Sequence, residues 1–198
     1  SRRAIPNASK QSTVEIEMKL ERKMAACAGA VLAIVMTASA SAQTVSCKGA
    51  ADGMLKHATT PYHMYMTEAT GAKAGQERVS ETISAGGAYY VNVDGKWIKS
   101  GMTVKDMAEE ERQAADSVSR LYTCTHVGSD KVNGVTAQHY HVEGKTGGDD
   151  VKQEDMWLSS DGVIQQIIIY GTDDSGARKP YRTMRYVYTN VQAPAGVK

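Results

Sequence analysis

The chain has 198 residues, with 23 Lys and Arg against 22 Asp and Glu, and a formal net charge of +1. The signs are interspersed, so there is no basic patch of the kind a nucleic-acid backbone requires, and nucleic acid is excluded as a partner. Only three cysteines occur, too few for a disulfide-dense miniature scaffold.

Residues 18–42 read as a secretory signal. Lys19, Arg22 and Lys23 form a basic n-region, Met24 to Thr37 is a short apolar core, and Ala40-Ser41-Ala42 fits the small-x-small cleavage pattern. The apolar core is too short to span a bilayer comfortably. Residues 1–17 are polar, lie upstream of this signal and are read as an upstream or remnant segment outside the fold. Residues 43–198, with 17 Lys and Arg against 19 Asp and Glu, form the expected single domain, exported to the periplasm after cleavage behind Ala42. No transmembrane span is expected once the signal is gone. Cys27 leaves with the signal. Cys47 and Cys124 then make, most simply, one disulfide in an oxidising compartment, with two buried free thiols as the alternative.

Lys48 to Thr60 predicts a modest helix, with Ala51, Met54, Leu55 and Ala58 on one side and Pro61 ending it. Tyr62 to Glu68 alternates, placing Tyr62, Met64 and Met66 on one face and His63, Tyr65 and Thr67 on the other. A loop over Gly71 to Gly75 leads into a polar strand, Gln76 to Ser84. Tyr89 to Val93 and Lys96 to Ser100 flank Asp94-Gly95, a hairpin signal that pairs Val91 with Ile98 and Asn92 with Trp97. Thr103 opens a second helix, with Asp106 in the position of a capping box. A third set of strands, Arg120 to Val127 and Val135 to Glu143, turns at Asn133-Gly134. Val151 to Tyr170 makes another hairpin around Ser159-Ser160-Asp161-Gly162. Its Ile167-Ile168-Ile169 run is apolar on both faces and suits the interior of a covered sheet. A last strand, Tyr181 to Val191, precedes an end that Pro194 and Gly196 mark as frayed. Eight or nine hairpin-linked strands and two helices predict an α+β antiparallel design.

Chemistry is sparse. A two-residue turn at Asn133-Gly134 sets His126 opposite His141, with His139 diagonal to them on the same face. That trio is a candidate zinc or copper site, or else a set of half-exposed polar residues. There is no nucleophile elbow or signalled Cys-His pair, and the acidic run near Glu109 reads as a solvated helix face. No enzyme and no cofactor are predicted. What remains is apolar surface rich in methionine, which adapts to irregular shapes.

The segments GGAYYVNVDGKWIKS, MWLSSDGVIQQIIIY and YRTMRYVYTNVQAPAG resemble small exported bacterial proteins with a half-barrel like that of the periplasmic lipoprotein carriers (LolA-like). The resemblance implies a strongly curved antiparallel sheet wrapped around helices, whose concave face shelters an acyl chain. On this expectation Met64, Met66, Tyr89, Val91, Ile98 and Tyr140 face a cavity for a lipid, a lipoprotein acyl chain or an apolar peptide. Two other readings stay open: a protein–protein or envelope-stress module with an envelope partner, and a metal-binding protein built on His126, His139 and His141.

Overall fold

The Asp94-Gly95 and Asn133-Gly134 pairs do adopt the left-handed conformations that tight hairpins need, with φ of 51° and 79° at the first and 52° and 80° at the second. In the computed structural model, residues 42–69, 77–145, 153–172 and 175–197 are described. They lie in one compact unit, Ser39–Lys198. The predicted signal, except Ala42, lies outside the described residues. So does the expected loop at Gly71 to Gly75.

Ten strands and two helices follow in the order β1 (Gln43–Val45), α1 (Lys48–Thr59), β2 (Tyr62–Ala69), β3 (Glu77–Ala85), β4 (Ala88–Val93), β5 (Lys96–Thr103), α2 (Val104–Leu121), β6 (Tyr122–Val132), β7 (Val135–Gly144), β8 (Gln153–Ser159), β9 (Ile164–Thr172) and β10 (Arg178–Val187). They form one antiparallel sheet, ordered β1-β6-β7-β8-β9-β10-β2-β3-β4-β5, open at β1 and β5. Eight or nine strands were expected. The extra one is β1, three residues paired with Cys124 to His126 of β6. So short a strand shows no periodicity of its own, because its partner makes it a strand. The hairpin of β8 and β9 sits inside the sheet, as the Ile run required.

Two consecutive meanders, β2–β5 and β6–β10, meet where β10 pairs with β2. Register shifts interrupt the ladders at Tyr181 of β10, between Ala88 and Tyr90 of β4, at Val127 of β6 and between Trp157 and Leu158 of β8. Such bulges bend a strand and increase its twist, and they curve the sheet around the helices. The bulge at Val127 also reverses which side chains face inward. Cys124 and His126 point to the helix side, while Asp130 and Val132 point away from it.

On the helix side the core gathers Tyr62, Tyr89, Cys124, Val142, Met156, Leu158, Ile164 and Tyr186, with Ala50 of α1 and Val118 of α2. The disulfide between Cys47 and Cys124 fastens the start of α1 to β6. The capping box is formed: Asp106 N–H donates to Thr103 Oγ1 at 3.2 Å, and Thr103 N–H to Asp106 Oδ2 at 2.9 Å. Gly53 of α1 passes so close to the sheet that an added Cβ would lie 2.6 Å from Leu158 Cδ2. On the outer face, Val191 and Val197 of the tail pack with Ile83, Ala85, Ala88 and Tyr90, so the expected frayed end is partly docked.

Candidate functional site

Alternation and register place all six predicted cavity residues on the helix side. Met64, Thr82, Val91 and Ile98 are successive cross-strand neighbours over β2–β5. Tyr140, Met156, Ile167, Met184 and Met66 form a second row over β7–β10 and β2. Tyr89 is buried. Met64, Met66, Val91 and Tyr140 are partly exposed, as are Ile167 and Met184. Ile98, on the free edge strand, is 51% exposed. The two helices therefore bury the centre of this face and leave a methionine-rich stretch toward β2–β5 incompletely covered.

Polar groups border that stretch. Arg182 of β10 stands opposite Glu68 of β2 and Ile169 of β9, on the same face as Met184. Its Nη2 donates to Glu68 Oε1. Its Nε is buried and has no hydrogen-bond partner among the described residues. The Arg182 hydrogen bond, more than any other influence, holds the Glu68 carboxyl below its usual range, and the Arg78 charge adds to this. Glu111 of α2 is shifted the other way, its pKa raised by burial and then by Glu110 and Glu154.

A separate cluster fills the lower core. His57 of α1 is 4% exposed. Its ring stacks on Tyr62 at 4.2 Å and meets Tyr186 edge-on at 4.5 Å. Tyr188 Oη donates to the Ile164 carbonyl, which leaves it to accept from His57 Nδ1 at 3.1 Å. Burial lowers the His57 pKa to about 4, so the imidazole is neutral. Nearby, Thr60, Asn133, Asp161, Gln165 and Val187 border a cleft of about 360 Å³ at the hairpin ends. None of the six predicted cavity residues lines it.

The histidine trio does not assemble. The predicted register holds from the turn back to Gly128, which faces His139. Beyond the bulge at Val127, however, His126 faces Tyr140 and His141 faces Thr125. His126 therefore lies on the helix side, where its Nε2 donates to Gln138 Oε1 at 2.8 Å. His139 and His141 lie on the outer face. The cause is the single extra residue in β6, since one inserted residue reverses a strand's facing. Among the described residues no group of three His, Cys, Asp or Glu side chains is arranged to hold a metal.

On the outer face the two histidines join a network that sequence reasoning missed. Asp155 accepts from Tyr170 Oη at 2.6 Å and from His141 Nδ1 at 2.7 Å. His139 Nε2 and Arg178 Nη2 stand 3.6 and 3.5 Å from Oδ1, the oxygen that His141 contacts, while Tyr170 bonds Oδ2. Arg178 lies over the Tyr170 ring at 3.5 Å, and His139 stacks on Trp157, whose Nε1 donates to Asp130 at 3.0 Å. Burial works to raise the Asp155 pKa, but His139, Tyr170 and His141 outweigh it and hold the carboxyl well below its usual range. The Tyr170 hydroxyl is pushed up to about 12, by burial first and by Asp155 next. Aligning β8 against β7 would have found Asp155 opposite His141. The buried His57 carried no comparable signal in the sequence.

No family model matches the chain, and no curated protein matches it in sequence. Solved structures do show similarity. One is the Mycobacterium tuberculosis lipoprotein LppX, at 11% identity and a TM-score of 0.41 over 77% of this chain and 98% of that one. Another is LprF from Mycobacterium bovis, at 10% identity and a TM-score of 0.43 over 79% and 98%. The Pseudomonas aeruginosa MucA/MucB complex matches at 15% identity and a TM-score of 0.42 over 75% of this chain and 59% of that one. Likenesses this distant carry nothing about ligand, partner or location.

Proposed function

We propose that the chain is a periplasmic, non-enzymatic binding module that shelters an apolar ligand, such as a lipid, an acyl chain or an apolar peptide, against the helix-side face of its sheet. The observation that carries this reading is the incomplete cover over Met64, Met66, Val91, Ile167 and Met184, which ends at the exposed Ile98. A filled core hides such groups, whereas a ligand site keeps an adaptable apolar surface within reach of solvent. The outer-face cluster around Asp155 serves the fold, because Tyr170, His141 and Arg178 gather on one carboxylate and balance its charge.

Binding of a fluorescent fatty acid and urea unfolding, measured together on wild type and Met66→Ala, test the proposal. A side chain bordering a ligand space would change probe affinity and cost clearly less than the roughly 2–5 kcal/mol of a filled core position. Large destabilisation with no probe binding by either protein would sink it. A second reading, an envelope protein partner, has the free edge of β5 in its favour. There Ile98 and Met102 are exposed beside an unpaired strand side, a surface suited to strand addition. Native mass spectrometry of periplasmic material separates the two, by a lipid adduct or by a stoichiometric protein.

A further inference from the structure

An arginine beside the methionine-rich stretch of the concave face needs an explanation, and Arg182 lacks a complete one within the fold. A guanidinium has five N–H donors and no acceptor. Of its three nitrogens, Nη2 donates to Glu68. Nε is buried without a hydrogen-bond partner among the described residues. Leaving a buried donor unpaired is unfavourable, and native structures seldom tolerate it without a reason. Glu68 does not balance the local charge either. Its cross-strand neighbours on this face are Arg182 on one side and Arg78 on the other, so one carboxylate lies between two guanidinium-bearing strands. Glu154 lies two strands from Arg182, beyond Ile169, at about 10 Å. Glu111 approaches the face from α2, with its proton affinity raised by burial and by Glu110 and Glu154.

The apolar surface starts beside this charge. Met184 and Met66 are two positions along their strands from Arg182 and Glu68, and Met64 lies two further on. That places Met64 at roughly 14 Å from Arg182, within reach of a medium aliphatic chain.

We infer that Arg182 is the head-group anchor of the ligand site, and that its ligand class is a single-chain amphiphile with an anionic head, carboxylate or phosphate. The inference rests on the apolar-ligand reading above. Charge-assisted hydrogen bonds to a guanidinium are shorter and stronger than neutral ones and suit planar, oxygen-rich anions. A head-group oxygen would give the buried Nε its acceptor, while the tail would run over Met66 and Met184 toward Met64.

The test is displacement of a neutral probe, N-phenyl-1-naphthylamine, from the chain spanning residues 43–198 by dodecanoate, its methyl ester and dodecyl phosphate. Wild type should prefer at least one anion over the ester by about tenfold. The anion that wins identifies the head group. Arg182→Met keeps an unbranched apolar stem and should hold the probe within about twofold while losing that preference. Glu68→Gln leaves Arg182 in place and removes its internal competitor, so the preference should grow by a few fold. Because this variant moves the preference upward, the inference stays falsifiable even if Arg182→Met fails to fold. Equal displacement by ester and anions in wild type would overturn the head-group assignment. So would an anion preference that survives Arg182→Met or fails to grow in Glu68→Gln. A wild type that never binds the neutral probe would instead overturn the apolar-ligand reading beneath it.

Discussion

Acidification should weaken this protein through one buried ring. His57 is packed against Tyr62 and Tyr186 and donates to Tyr188, and burial lowers its pKa from 6.5 to about 4. As pH falls below 6.5 the unfolded chain takes up a proton there that the folded chain refuses until pH 4. Between those values the unfolded state binds more protons, so stability drops as pH falls, while above about pH 7 the effect vanishes. At 1.36 kcal/mol per pH unit, the interval from 6.5 to about 4 is worth about 3 kcal/mol. That is a large share of the 5–15 kcal/mol typical of a whole domain. The assay is urea unfolding at pH 7.5 and pH 4 for wild type and His57→Phe. The variant keeps a ring against Tyr62, and Tyr188 keeps its donation to Ile164. Exposed carboxylates titrate in both proteins and cancel in the difference. His57→Phe should lose about 3 kcal/mol less than wild type over that interval. Parallel losses, or an NMR titration of the His57 ring with its midpoint near 6.5, would refute the reasoning.

The disulfide spans a sequence separation of 77 residues, for which the chain-entropy model gives about 4.5 kcal/mol. Cys47→Ser should therefore lower the urea midpoint markedly, and added reductant should do the same to wild type but not to the variant. An unchanged midpoint in both would show that the bond does not restrain the unfolded chain. Gly53→Ala should destabilise by about 1–2 kcal/mol even though alanine favours helices by about 1 kcal/mol, because the new Cβ would press on Leu158. Combining it with Leu158→Ala should cost less than the two separate losses added together, and a stabilised Gly53→Ala protein would contradict the close approach.

Most of the architecture was legible wherever the signal was local. Asp94-Gly95 gave the correct pairing of Val91 with Ile98 and of Asn92 with Trp97, because a two-residue turn determines its own register. Alternation placed Tyr62, Met64 and Met66 on one face, because successive side chains of a strand point to opposite sides. Reasoning from the turn failed at Val127. The one local mark of the bulge is Gly128, whose φ of 149° follows Val127 inside the strand, and a single inserted position sends His126 to one face and His141 to the other. β1 was invisible because three residues become a strand only beside β6. The Arg182–Glu68 pair was equally hidden, since it joins residues on strands 114 positions apart in the chain. Local patterns identify strands and their faces, but contacts between distant strands must come from the assembled sheet.

The seam between β10 and β2 joins the last strand of the chain to the first strand of the opposite meander. Its consequence is kinetic. During synthesis, β2–β5 can form hairpins early, yet their inner face has no neighbour on the β2 side until residues 178–187 arrive. Pairing of such high sequence separation is slow, because a long loop must close before any contact rewards it. The chain therefore completes its core only after nearly all of it has emerged, and until then Met64, Met66 and Tyr62 lack their neighbours Tyr186 and Met184 on the last strand.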